Sequence, residues 1–285
     1  MTLRSMAVSA PVRYGLVMRT RLFVRFALLA ALFAPAPALA GETPWQELAP
    51  GSRMRVVSDD AVDAGGRTWL ALEIELAPGT NTYWSLPGET GIPIIVALEG
   101  ERAEIAEIVW PYPTREDGPY LDYVYYERLV LPMAVEGAVD GERAALEVRL
   151  GLCADLCVPV SASFEHRFSL GRQDLAQTVR IAQAKALAPL EWPAGSGAVA
   201  SGLAFADGTL TLADLHADIA PQSAILELAG TQTLFDAPAQ QPDGSLAFAL
   251  LDGDADAVSE GALRLTFLTE EGAYWAWLPA VEAHR

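Results

Sequence analysis

The chain has 285 residues, 37 acidic side chains against 19 basic ones, a formal net charge of −18 and a hydrophobic share of 52%. A surface that acidic lacks the basic footprint that nucleic-acid binding needs. No HExxH, GxSxG, P-loop or GxGxxG pattern occurs, so hydrolase and nucleotide chemistry have no motif to rest on.

Residues 1–40 carry five arginines (Arg4, Arg13, Arg19, Arg21, Arg25) and no acid. The apolar run Phe26–Ala34 follows, then Ala38-Leu39-Ala40 before Gly41. A basic region, a short apolar core and a small-x-small site predict a secretory signal peptide, removed on export. Losing its five arginines takes the net charge from −18 to −23. The run is too short for a membrane span, and so is the next longest, IPIIVAL (Ile92–Leu98), which reads as a buried strand. The exported chain is therefore expected in the periplasm, without a span of its own and in an oxidising compartment that permits disulfides.

Short strand-like runs come next. RMRVVSD (Arg53–Asp59), TWLALEIEL (Thr68–Leu76), RLVLPMAV (Arg128–Val135) and ALEVRL (Ala145–Leu150) are separated by turn formers such as APGTN, PGETG and VDGE. This spacing predicts an antiparallel sandwich over residues 41–171. Alternation is clearest from 145 to 168. Leu146, Val148 and Leu150 share one face, as do Val160, Ala162, Phe164, His166 and Phe168. Over residues 172–196 a helix (Arg172–Leu187, with Leu175, Val179, Ala182 and Ala186 on one face) leads into the linker EWPAGSG. A second β-sandwich is expected over residues 197–285. Within it, LDGDADAVSEGAL sets Asp252, Asp254 and Asp256 at EF-hand spacing. It has Ala257 and Leu263 where that loop needs glycine and glutamate, so it reads as a solvated acidic turn.

The only cysteines, Cys153 and Cys157, stand in GLCADLCVP. Gly151 and Pro159 disfavour a helix there, and the alternating flanks predict a hairpin. Directly paired strand residues lie about 4.5–5.5 Å apart at Cα, which a disulfide accepts. Such a ring adds little as a staple, about 2 kcal/mol against about 3 for fifteen residues. A redox or metal role suits a short-range pair at a turn better than stapling does. Copper(I) on the two thiolates is the metal alternative, and it needs a distant histidine among His166, His216 and His284. His166 shares the face of Phe164 and Phe168 and reads as a core residue. An interaction module with an inert structural disulfide is the third reading. No resident cofactor or metal is expected.

TYWSLPGETGIP (Thr82–Pro93), WPYPTREDGPYLDYVYYERLVLP (Trp110–Pro132) and GLCADLCVP, in that order, resemble the N-terminal periplasmic domain of the thiol:disulfide interchange protein DsbD, in its ScsB-like branch. The resemblance implies an all-β architecture of two immunoglobulin-like domains. It implies thiol:disulfide interchange, a possible protein-disulfide reductase, in which electrons pass from a separate membrane donor to periplasmic thiol proteins. It makes Cys157 the attacking thiol and Cys153 the resolving one. It also implies a shielding loop over Arg115–Tyr126, with Tyr120, Asp122 and Tyr123 as contacts. The spacing departs from DsbD itself, whose cysteines stand further apart, and the chain has no thioredoxin-like CxxC. Near the pair, Asp155 is a candidate proton acceptor, and no neighbouring charge offers a thiolate positive support.

Overall fold

Alternation dictates most of what folds. The computed structural model describes residues 41–279 and residue 281; the expected signal peptide and His284 lie outside the described residues. In chain order the first part holds β1 (Gln46–Ala49), β2 (Ser52–Ser58), β3 (Thr68–Glu75), β4 (Asn81–Gly88), β5 (Ile95–Glu99), β6 (Glu104–Ile108), β7 (Thr114–Asp117), β8 (Leu121–Tyr126), β9 (Arg128–Glu136), β10 (Arg143–Cys153) and β11 (Cys157–Arg167). Two antiparallel sheets result, one ordered β1-β2-β3-β9-β6 and the other β11-β10-β4-β8-β7, with β5 also paired to β10. Their facing side chains form one core that includes Leu70, Leu72, Ile74, Leu131, Leu146, Val148 and Phe164. The expected alternation in β10 and β11 holds. Leu146, Val148, Leu150, Ala162, Phe164 and His166 are buried, and Glu147, Arg149, Ser161, Ser163 and Glu165 are exposed.

Strand β3 is buried along both faces. Leu70, Leu72 and Ile74 enter the sandwich core. Trp69, Ala71 and Glu73 point the other way, under helix α1 (Leu175–Lys185). The helix was expected, but its buried face was not. Gln177, Ile181 and Ala184 turn inward, while the apolar stripe at Leu175 and Val179 faces solvent, 70% and 55% exposed. Polar anchors set this rotation. The Asp174 carboxylate caps the backbone N–H groups of Ala176 and Gln177. Gln177 donates to Glu42, Arg180 donates to Gln177 and Glu73, and Ile181 fills the space beside Val57, Trp69 and Ala134.

IPIIVAL departs from the buried strand expected of it. Pro93 has no N–H to give a ladder. Pairing begins only at Ile95, with β10 as partner, and burial alternates along β5 so that Ile95 is exposed.

The second part contributes β12 (Leu190–Glu191), β13 (Gly202–Ala206), β14 (Thr209–Ala213), β15 (Ile225–Leu228), β16 (Leu234–Phe235), β17 (Ala239–Gln240), β18 (Leu246–Asp252), β19 (Leu263–Thr269) and β20 (Gly272–Trp277). One sheet runs β12-β20-β19-β15 and the other β13-β14-β18-β16, with β17 on β18. Their core contains Leu210, Leu212, Phe248, Leu265 and Phe267. Residues expected as linker join this sandwich. Leu190–Glu191 pair with β20, in a parallel ladder against the antiparallel rule elsewhere, and Trp192 packs edge-on to Phe267 and Tyr274. The acidic stretch also departs from a plain turn. Asp252 ends β18, and Asp254 caps a short helix α2 (Ala255–Glu260) by accepting from the Asp256 N–H. Val258, fully buried, supplies the packing that makes this a helix. The two parts touch: Ile225 and Leu234 belong to the first core, and the Tyr112 hydroxyl donates to the Ser223 carbonyl at 2.5 Å.

Candidate functional site

Strands β10 and β11 pair without a break from Arg143↔Arg167 to Cys153↔Cys157. The cysteines are thus the last pair before the turn Ala154-Asp155-Leu156, and they are joined as a disulfide with Cα atoms 4.0 Å apart. Their neighbours follow from parity. Leu150 and Leu152 point into the sandwich, so Gly151 and Cys153 belong to the outer face of the sheet. Cys153 pairs with Asn81 of β4, and Asn81 pairs with Tyr126 of β8. One row across the outer face therefore reads Cys157, Cys153, Asn81, Tyr126.

The next row brings Tyr83 and Val124, which form a small apolar cluster with the two cysteines. The Tyr83 hydroxyl lies 2.9 Å from Cys153 Sγ and 3.2 Å from Cys157 Sγ. A disulfide carries no S–H, so the hydroxyl is the donor to both. Burial pushes the Tyr83 hydroxyl above its ordinary value and keeps it protonated as a donor. One glycine makes room for its ring. A Cβ on Gly91 would stand 2.4 Å from Tyr83 Cδ1. The polar support for a thiolate thus comes from a hydroxyl across the sheet and not from a charge beside the cysteines.

The two sulfurs differ in access. Cys153 is 3% exposed; Cys157 is half-buried. Around Cys157 the tip presents Leu156, 75% exposed, and Val158, 47% exposed. Of the two sulfurs, Cys157 is therefore the more accessible, framed by apolar side chains.

The other candidate residues take different places. Arg115–Tyr126 forms the β7–β8 hairpin, beside β4. Tyr120 is exposed at its turn. Asp122 is buried and accepts from the Thr90 N–H and hydroxyl at 3.0 and 2.5 Å, which ties β8 to the loop after β4. Tyr123 points into the core, edge-on to Trp84 at 5.7 Å between centroids, so it does not share the disulfide's face. Alternation separates Asp122 from Tyr123; the residues of β8 on the disulfide's side are Asp122, Val124 and Tyr126. Asp155 is exposed in the turn, and no hydrogen bond among the described residues joins it to either sulfur.

Tyr83, within TYWSLPGETGIP, is a site residue that the sequence alone does not single out. The signal for it is the shared parity of Asn81 and Tyr83, together with the small residue Gly91. Among the described residues, no group of three or more His, Cys, Asp or Glu side chains is placed to hold a metal ion. His166 is buried edge-on to Phe168, and His216 lies against Trp192.

An immunoglobulin-like sandwich with a cysteine pair closing one hairpin is the class that fold and site define. Residues 50–169 match the family described as thiol:disulfide interchange protein DsbD, N-terminal. Among solved structures, the chain is similar to the N-terminal periplasmic domain of ScsB from Proteus mirabilis. The TM-score is 0.66 at 18% identity, over 86% of this chain and 100% of that one, a likeness of fold. A comparison with curated proteins finds no match.

Proposed function

We propose that the chain is an exported, periplasmic thiol–disulfide interchange protein that hands electrons to client proteins through a reversible Cys153–Cys157 bond. In this reading residues 1–40 are its signal peptide, residues 41–171 the redox domain, 172–196 a helical connection and 197–285 a second sandwich. The observation that carries it is the unequal access of the two sulfurs at the hairpin tip, with one donor hydroxyl set between them.

The chemistry balances with two electrons. In the dithiol form the Cys157 thiolate attacks one sulfur of a client disulfide and expels the other as a thiolate. The Cys153 thiolate then attacks Cys157 Sγ, re-forms the Cys153–Cys157 bond and releases the second client thiolate. The client gains two electrons, and the pair loses them. Proximity makes the second step fast, because the resolving sulfur is already in place. A separate membrane donor regenerates the dithiol. Tyr83 donates a hydrogen bond to the sulfur that carries the negative charge.

The deciding experiment is a thiol-trapping titration in graded redox buffers. The expected potential lies well above about −300 mV, where a disulfide exchanges with periplasmic thiols. A potential below that leaves the bond as a stable structural link and overturns the reading in favour of an interaction module.

A further inference from the structure

Far from the hairpin tip in sequence, α1, the start of β9 and the β19–β20 turn surround a cavity of about 660 Å³. Small-molecule sites occupy about 300–1,000 Å³ and combine apolar walls with a few placed polar groups. Here Tyr112, Leu129 and Tyr125 supply apolar surface from the first sandwich, and Leu268 and Tyr274 from the second. Leu187 and Leu190 stand at the cavity and are still 67% and 61% exposed, so its apolar lining runs out onto the surface.

Charge is concentrated on one wall. Arg128 and Arg180 both line the cavity, and both reach back to Glu73. Arg55 holds Glu73 as well, and also Glu42. Among the described residues, three guanidinium groups thus share two carboxylates beside the cavity. The Arg128 side chain is half exposed. On the opposite lip stands Glu271, so only the arginine wall suits an anion. In a chain with 37 acids and 19 cations, a wall with two arginines is a local reversal of charge.

We propose that this cleft binds a single-chain amphiphile with a carboxylate head, of the fatty-acid class. The head sits on Arg128 and Arg180, where guanidinium and carboxylate geometry match. The chain lies along Tyr112 and Leu187 toward Leu190. A compact aromatic acid would leave those two exposed leucines uncovered, whereas an extended chain covers them.

Calorimetry on the purified protein tests this, with sodium laurate below its micelle concentration as probe. Dodecyl maltoside and dodecyltrimethylammonium serve as neutral and cationic partners of the same chain length. One laurate per chain is expected, with the other two at least about ten-fold weaker. Arg128→Gln leaves Glu73 with Arg55 and Arg180, and should weaken laurate about ten-fold or more. Ala186→Trp, an exposed position on the rim, should remove binding with an unchanged melting temperature. Equal affinity for the three head groups overturns the proposal. So does unaltered laurate binding in either variant, no laurate binding at all, or sedimentation with phosphatidylglycerol vesicles without laurate binding.

Discussion

Both sheets of the first sandwich bury a polar group on their outer face, and the two groups are covered in opposite ways. On the β1–β3 side, Glu73 lies under α1 and is saturated by Arg55, Arg128 and Arg180. Burial alone would raise its pKa; Arg55 and Arg128 override that and hold its carboxyl below the usual carboxylate range. On the β4–β10 side no helix among the described residues covers the disulfide, and one hydroxyl serves two sulfurs. Full cover with several partners makes an anchor. Partial cover with one adjustable donor leaves a sulfur open to exchange. The helix decides which sheet face is closed.

The strongest way to break the contrast is at the open face. Cys157→Ser should abolish client reduction entirely, and Cys153→Ser should accumulate a client mixed disulfide at Cys157, both read by trapping and mass spectrometry. If Cys153→Ser forms no mixed disulfide and Cys157→Ser does, the assigned roles are reversed.

At the closed face, Glu73→Ala leaves three arginines without their shared carboxylate. A loss of about 3–5 kcal/mol is expected in denaturant unfolding, as for a broken buried ion pair. The redox potential of the pair should stay where it was. A coupled change in potential would mean that the two faces are not independent.

Tyr83→Phe addresses the donor hydroxyl. Removing a hydrogen bond that favours the thiolate form disfavours the reduced state. The potential should fall by about 30 mV, the equivalent of about 1.4 kcal/mol for two electrons. Gly91→Ala should act in the same direction by pushing against the ring. An unchanged potential in Tyr83→Phe would make the hydroxyl a packing feature only.

Acid tests the interior between the two sheets. His166 is buried against Phe168, with Asp60 Oδ1 4.0 Å from its Nε2. Desolvation lowers its pKa from 6.5, and Asp60 offsets only part of that. The folded imidazole therefore stays neutral where the unfolded one is already protonated. Stability should be full above pH 6.5 and fall as the pH drops below it. Melting curves between pH 7.5 and 5.5 should record the loss, and His166→Gln should flatten it. Glu73, with its lowered value, adds a further loss only as the pH falls below 4.5.

The smallest effect belongs to the tip itself. Leu156→Ser should change stability by less than about 0.5 kcal/mol, as an exposed substitution does. Client reduction should slow, because the apolar frame beside Cys157 is reduced. An unaltered rate would remove Leu156 from the docking surface.

Local rules carried much of this structure. Period-two alternation from 145 to 168, with Gly151 and Pro159 beside the cysteines, is enough to place a hairpin and to set Cys153 opposite Cys157, because strand parity and turn length are local. The helix over Leu175–Lys185 is legible for the same reason. Which of its faces is buried is not, because the apolar stripe Leu175–Val179 competes with contacts to Glu42, Glu73 and Trp69, more than a hundred residues earlier. Tertiary structure alone also put Tyr83 between two sulfurs seventy residues away, and turned Tyr123 into the core while its neighbour Val124 faces the disulfide. Sequence determines the period of each strand. The neighbours across the sheet, fixed by packing at long range, determine what each face meets.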